Sequence, residues 1–182
     1  MKINEIIQHC TPTMSKLYGE CIAQVKTKLP DDVSHRLLCT GVLQYAPTLT
    51  NEESRISTRM SRLKALRENL SGMWLDSDMM LLKWFDFEFE KGYVYVAGDV
   101  GCSASAIFAN GCIETIDFLI SEFKNFCIHV VIDKNKDKFK VIPSGYLLHL
   151  RLYRLIKAGG GRNKNCEIEK ENDDFKFKWI NN

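Results

Sequence analysis

Nothing in this 182-residue chain approaches the run of about 18 apolar residues that spans a bilayer. Its opening, MKINEIIQHC, also lacks the long apolar stretch of a secretory signal. Cysteine is present seven times, but without the tight, repeated spacing of a disulfide framework, and an odd number cannot all pair. A cytoplasmic protein with reduced thiols is the expectation, with no membrane association. Charge of one sign is missing as well. Lys and Arg number 25 against 23 Asp and Glu, a net charge of +2, so any electrostatic function has to come from local patches. Catalytic signatures are also absent. No Gly-Lys is followed by Ser or Thr, no G-x-G-x-x-G occurs, and no C-x-x-C pair announces zinc. These absences lean away from an enzyme and predict neither cofactor nor metal.

What is present is ordinary for a globular domain: 45% apolar and 26% charged residues. The length suits a single domain, 1–182, with a helical part over about 1–72 and a sheet-rich part over about 80–182. TPTMSKLYGECIAQVKTKLP puts Met14, Leu17, Cys21, Val25 and Leu29 on one helical face, with Pro12 at the first helical position and Pro30 at the end. Ile3, Ile6, Ile7 and Cys10 fit a short helix before it. Residues 34–48 read equally as a strand or a buried helix. A second long helix spans 51–70, opened by Thr50 and Glu53 at capping-box spacing.

From Leu82 the period changes to two. In WFDFEFE, Phe85, Phe87 and Phe89 face one way, and Asp86, Glu88 and Glu90 the other. A Lys91-Gly92 hairpin turn sets Glu88 opposite Tyr95 and Phe87 opposite Val96. That predicts a core face carrying Val94 and Val96 with the phenylalanines, and an outer face carrying Tyr93 and Tyr95. Gly98 and Gly101 then pose a choice. They either open a phosphate-binding loop before a helix, or relieve a tight turn while CSASAIFA returns as a strand. With no lysine between Lys91 and Lys124, the second is preferred, giving an antiparallel meander over about 84–109 that ends in an Asn110-Gly111 turn. Further on, 113–123 has helical spacing, 127–143 reads as two strands, 144–157 as a helix, and 166–180 as a hairpin. The fold class expected is α+β, an antiparallel sheet packed against amphipathic helices.

WFDFEFEKGYVYVAGDVG, followed by a helix, resembles small orphan accessory proteins of phages and prophages over about residues 84–123. The likeness departs from their pattern at Ser103, Ala104 and Ser105. It implies an origin in a mobile element and brings no chemistry.

Three constellations merit attention. Asp86, Glu88 and Glu90 could hold a cation but equally describe the solvated face of a half-buried strand. Cys127 and His129, at i and i+2, lack the further ligands of a zinc site, and core thiols are the simpler reading. Arg55, Arg59 and Arg62 share a helix face, and Arg151, Arg154 and Lys157 follow along 144–157; either group could track phosphates. The function expected is therefore a non-enzymatic accessory protein that binds and inhibits a host or defence protein, of anti-CRISPR or toxin-immunity type. Its partner surface would comprise Tyr93, Tyr95, Asp86 and Glu88. The alternatives are a nucleic-acid-binding regulator acting through the two basic groups, and a small enzyme with an unrecognised site.

Overall fold

The computed structural model describes residues 2–10, 12–38, 51–97, 103–123, 127–143, 145–150, 153–154, 166–171 and 174–179. The central element is a six-stranded sheet made of β1 (Glu5–His9), β2 (Ser34–Leu38), β3 (Gly72–Leu75), β5 (Val94–Val96), β6 (Ala106–Phe108) and β7 (Phe139–Val141), in the order β2-β1-β3-β6-β5-β7. β1 runs parallel to β2 and β3, β6 is antiparallel to β3 and β5, and β7 is parallel to β5. Only β6 is therefore reversed, and the carboxyl ends of the other five strands share one edge.

The sheet is mixed and mostly parallel, which corrects the expected antiparallel meander. Residues 84–90 alternate like a strand yet join no sheet, and the pairing of Glu88 with Tyr95 and of Phe87 with Val96 does not form. Instead Tyr95 faces Phe108 and Val96 faces Ile107. That hairpin partner and the Asn110-Gly111 turn agree with the sequence reading, with φ of 47° and 79° at the two turn residues. Gly98 and Gly101 lie outside the described residues.

Alternation along these strands sorts side chains between two cores, not between core and solvent. Ile7, Trp74, Val94, Val96 and Ile107 join one cluster, and Ile6, Met73, Leu75, Tyr95 and Phe108 the other. A parallel sheet is normally covered on both faces, which is why both sets are apolar. The first face is covered by α2 (Asn51–Glu68), α3 (Ile113–Phe123) and α4 (Ile128–Lys134), through Leu63, Leu66, Ile116, Leu119, Val131 and Ile132. The second receives Val25 of α1 (Pro12–Lys28), Leu29 just after it, and the extended stretch carrying Phe85 and Phe89.

Three other local readings change. The stretch carrying Ile3, Ile6, Ile7 and Cys10 contains strand β1 (Glu5–His9), not a helix. Residues 128–134 are helical, because Ile128, Val131 and Ile132 are buried at i, i+3 and i+4. Residues 147–149 form β8 (Leu147–His149), antiparallel to β4 (Met79–Leu81), where a helix was expected. The closing hairpin is present as β9 (Cys166–Glu171) paired with β10 (Asp174–Trp179). Gly72 follows the second long helix and opens β3; a Cβ there would stand 3.0 Å from Asn69 O and 3.1 Å from Ile7 Cδ1.

Candidate active site at the carboxyl edge of the sheet

The chain leaves β1 for β2 on one side, then crosses to β3 on the other. The carboxyl ends of β1 and β3 thus flank the point where strand order reverses, the usual ligand site of open α/β sheets. His9 ends β1. Asp76-Ser77-Asp78 follows β3 directly, in a tight turn closed by Met79 N–H donating to Asp76 O at 3.0 Å.

The turn is held from several sides. Ser77 Oγ donates to His9 O, and Gln8 Nε2 donates to Asp76 O at 3.3 Å. Asp76 N–H donates to Ser105 O at 2.7 Å, tying the turn to the start of β6. The Asp76 carboxylate receives Arg62 Nη2 at 2.6 Å and Trp74 Nε1 at 2.7 Å, both on Oδ1. Arg62 in turn donates from Nη1 to Ala104 O at 2.7 Å, and its guanidinium lies 4.6 Å from the centre of the Trp74 ring. Burial pushes the Asp76 carboxyl above its ordinary pKa, opposed by Arg62 and by the Trp74 hydrogen bond.

Asp78 differs from Asp76. Its Oδ2 lies 3.0 Å from His149 Nε2, which β8 brings alongside by pairing His149 with Met79. Burial alone would raise the Asp78 carboxyl, but the hydrogen bond and charge of His149, a backbone hydrogen bond and the Arg62 charge together hold it below the ordinary value. His9, buried and near the Arg62 charge, has its imidazole pKa lowered.

Among the described residues, no three His, Cys, Asp or Glu side chains converge as a ready-made metal cage. Asp76 is committed to Arg62, Trp74 and Ser105. Asp78 supplies one carboxylate, oriented by its contact with His149 Nε2. Such a partial set suits a Mg²⁺- or Mn²⁺-class cation that takes its remaining ligands from water and a substrate phosphate.

The residues singled out in the sequence lie elsewhere or are used differently. Arg62 is a buried partner of Asp76, so it does not share an exposed basic face with Arg55 and Arg59. Arg59 donates from Nη1 to Cys127 Sγ at 3.2 Å. Arg55 lies in α2, Arg154 is exposed, and Arg151 and Lys157 fall outside the described residues. Tyr95 is 6% exposed and its hydroxyl accepts Glu90 N–H at 2.8 Å, so it is core; Tyr93 is 37% exposed. Asp86 and Glu88 are exposed as expected, at the opposite edge of the sheet from Asp76. Cys127 and His129 sit at the start of a helix, not on a strand. The sequence reading passed over Asp76 and Asp78. The signal available was two acids, one residue apart, between the apolar runs MWL and MMLL.

No protein-family model and no curated protein matches the chain. Solved structures do. A glycosyltransferase involved in the glycosylation of the major capsid of PBCV-1 superposes with a TM-score of 0.54 at 11% identity, over 80% of this chain and 92% of that one. An active-site mutant of LgtC gives 0.52 at 12% identity, over 87% and 79%. The glycosyltransferase GlyE of Streptococcus pneumoniae TIGR4 gives 0.50 at 14% identity, over 78% of this chain and 45% of its own length, so the chain spans less than half of GlyE. At these identities the likeness is one of fold. It overturns the reading as a non-enzymatic, anti-defence inhibitor, because the solved proteins that share the architecture are glycosyltransferases. Among the described residues no helix is long and apolar enough to cross a membrane.

Proposed function

We propose that the protein is a glycosyltransferase of Rossmann-like fold that binds a nucleotide-activated sugar donor at the carboxyl edge of its sheet. The observation that carries this reading is the position of Asp76-Ser77-Asp78, immediately after β3 at the strand-order reversal and braced by His9, Arg62 and His149. In the reaction an acceptor hydroxyl attacks the anomeric carbon, the bond from that carbon to the diphosphate breaks, the diphosphate leaves with the electron pair, and the hydroxyl proton passes to the departing diphosphate or to water. A divalent cation, held by Asp78 with Asp76 beside it, would supply the positive charge that stabilises the leaving diphosphate. The chain's own contribution is to fix the carboxylates. Arg62 and Trp74 lock the Asp76 rotamer, Ser77 ties the turn to β1, and His149 sets the direction of Asp78.

The test is release of nucleoside diphosphate from a panel of nucleotide sugars, with Mn²⁺ or Mg²⁺ and after chelation. The reading requires cation-dependent release with at least one donor and its loss in Asp78→Asn. Release that is indifferent to Asp78 would defeat it.

A further inference from the structure

At the opposite edge of the sheet, beyond the amino ends of β1 and β2, a cleft of about 480 Å³ opens between residues 2–3, residues 30–33 and the extended stretch 84–89. Its volume is that of a small-molecule site. The walls are aromatic: Trp84 and Phe87 are half-buried, and Phe85 and Phe89 are buried behind them. These rings fix one another. Phe85 meets Phe87 at 88° and Phe89 at 70°, and the Phe87 and Phe89 centroids are 4.5 Å apart. The rim is ionic, with Asp32, Asp86 and Glu88 against Lys2. Asp86 is engaged by Lys83 Nζ at 2.8 Å and by the Tyr146 hydroxyl. Counting Lys83, the lining carries one more carboxylate than ammonium.

The same stretch displays the chemistry this combination serves, at both of its ends. The Lys83 ammonium lies 4.6 Å from the Tyr146 ring centre while paired with Asp86. The Lys140 ammonium lies 4.1 Å from the Tyr93 ring centre while paired with Glu90. Each is an ammonium held between an aromatic face and a carboxylate. Between these ends, Trp84 and Phe87 stand beside Glu88 and Asp32, and neither of those carboxylates has an ion-pair partner among the described residues. We infer that this cleft is a binding site for a small organic cation, an ammonium group on an apolar stem, separate from the carboxylate edge and independent of the reaction there. The aromatic walls disfavour a hydrated metal ion, and the surplus carboxylate disfavours an anion or a nucleic acid.

Calorimetric titration of the full chain with choline and with spermidine, alongside 3,3-dimethylbutan-1-ol as the uncharged counterpart of choline, tests the inference. Saturable binding of at least one cation is expected, with the neutral alcohol about tenfold or more weaker, the margin a desolvated cation–π site provides. Asp32→Asn combined with Glu88→Gln, both at exposed positions, should weaken the cation about tenfold without moving the thermal midpoint. Phe87→Ala should weaken it too, and Asp78→Asn should leave it unchanged. Equal binding of the neutral alcohol, no effect of the carboxylate pair, or a response only to an oligolysine peptide would overturn the proposal.

Discussion

Arg62 Nη2 stands 2.6 Å from Asp76 Oδ1, with side-chain exposures of 11% and 26%, so a helix on one face of the sheet neutralises a carboxylate at its edge. Breaking such a pair leaves an unmatched charge in a poorly solvated place. Arg62→Ala should therefore cost ~3–5 kcal/mol of unfolding free energy. Arg62→Met combined with Asp76→Leu should recover most of that loss. Denaturant titration of the single and double variants checks this; a single variant within about 1 kcal/mol of the parent would mean that the pair is solvated.

Tyr95 and Tyr93 should respond in opposite ways. Tyr95→Phe removes the acceptor of the Glu90 N–H and should cost ~1–3 kcal/mol. Tyr93→Ala, at a position 37% exposed, should stay within about 0.5 kcal/mol of the parent. Thermal unfolding of the two variants separates core from surface, and equal losses would contradict the assignment.

These two tyrosines show what was legible in the sequence: Tyr93 is exposed as expected, whereas Tyr95 is core. Period-two alternation correctly located β5 and β6, but alternation alone does not reveal what each face meets. Here the face opposite Val94 and Val96 is a second core, reached only because α1 and the stretch around Phe85 fold over it. WFDFEFE carries the same alternation without a sheet partner, since β6, not residues 84–90, lies beside β5. Residues 128–132 are β-branched at every position but His129, and their helical period of three and four becomes visible only through burial. The helical spans of α1 and α2 were readable in the sequence, although Leu17, placed on the apolar face of α1, is 54% exposed. The candidate site was not, because Asp76 and Asp78 look like a polar turn until β1 brings His9, and β8 brings His149, alongside.

Acid should destabilise the protein before its carboxylates titrate. Burial lowers the imidazole pKa of His9, helped by Arg62, and of His35, helped by Lys26. Below the unfolded value of 6.5 the unfolded chain then binds more protons than the folded one, so stability falls with pH until both folded values are passed. The lowered Asp78 carboxyl adds a further loss below its unfolded value of 3.8. The raised Asp76 carboxyl acts in the opposite sense between 3.8 and its folded value. Comparing the unfolding midpoint of the parent with that of His9→Gln plus His35→Gln between about pH 7.5 and 5 isolates the histidine contribution. The double variant should lose less stability across that range, and parallel curves would contradict the assignment.

Gly72 begins β3 where the chain turns off α2 with no room for a side chain. Gly72→Ala would press a methyl against Asn69 O at 3.0 Å and Ile7 Cδ1 at 3.1 Å, and should cost ~1–3 kcal/mol. Chemical denaturation measures it, and an unchanged midpoint would show that β3 can shift at its start.

In the proposed reaction Asp78, beside the Arg62-bound Asp76, serves a diphosphate through a cation, and calorimetric titration with a nucleoside diphosphate tests that most directly. Binding should be weak without divalent cation, strengthen about tenfold or more with Mn²⁺, and lose that gain in Asp78→Asn while folding is kept. Mn²⁺ alone should bind weakly, because the protein supplies only part of its coordination. A nucleoside diphosphate that binds equally with and without Mn²⁺, or equally to the parent and Asp78→Asn, would contradict the assignment of this edge as the donor site.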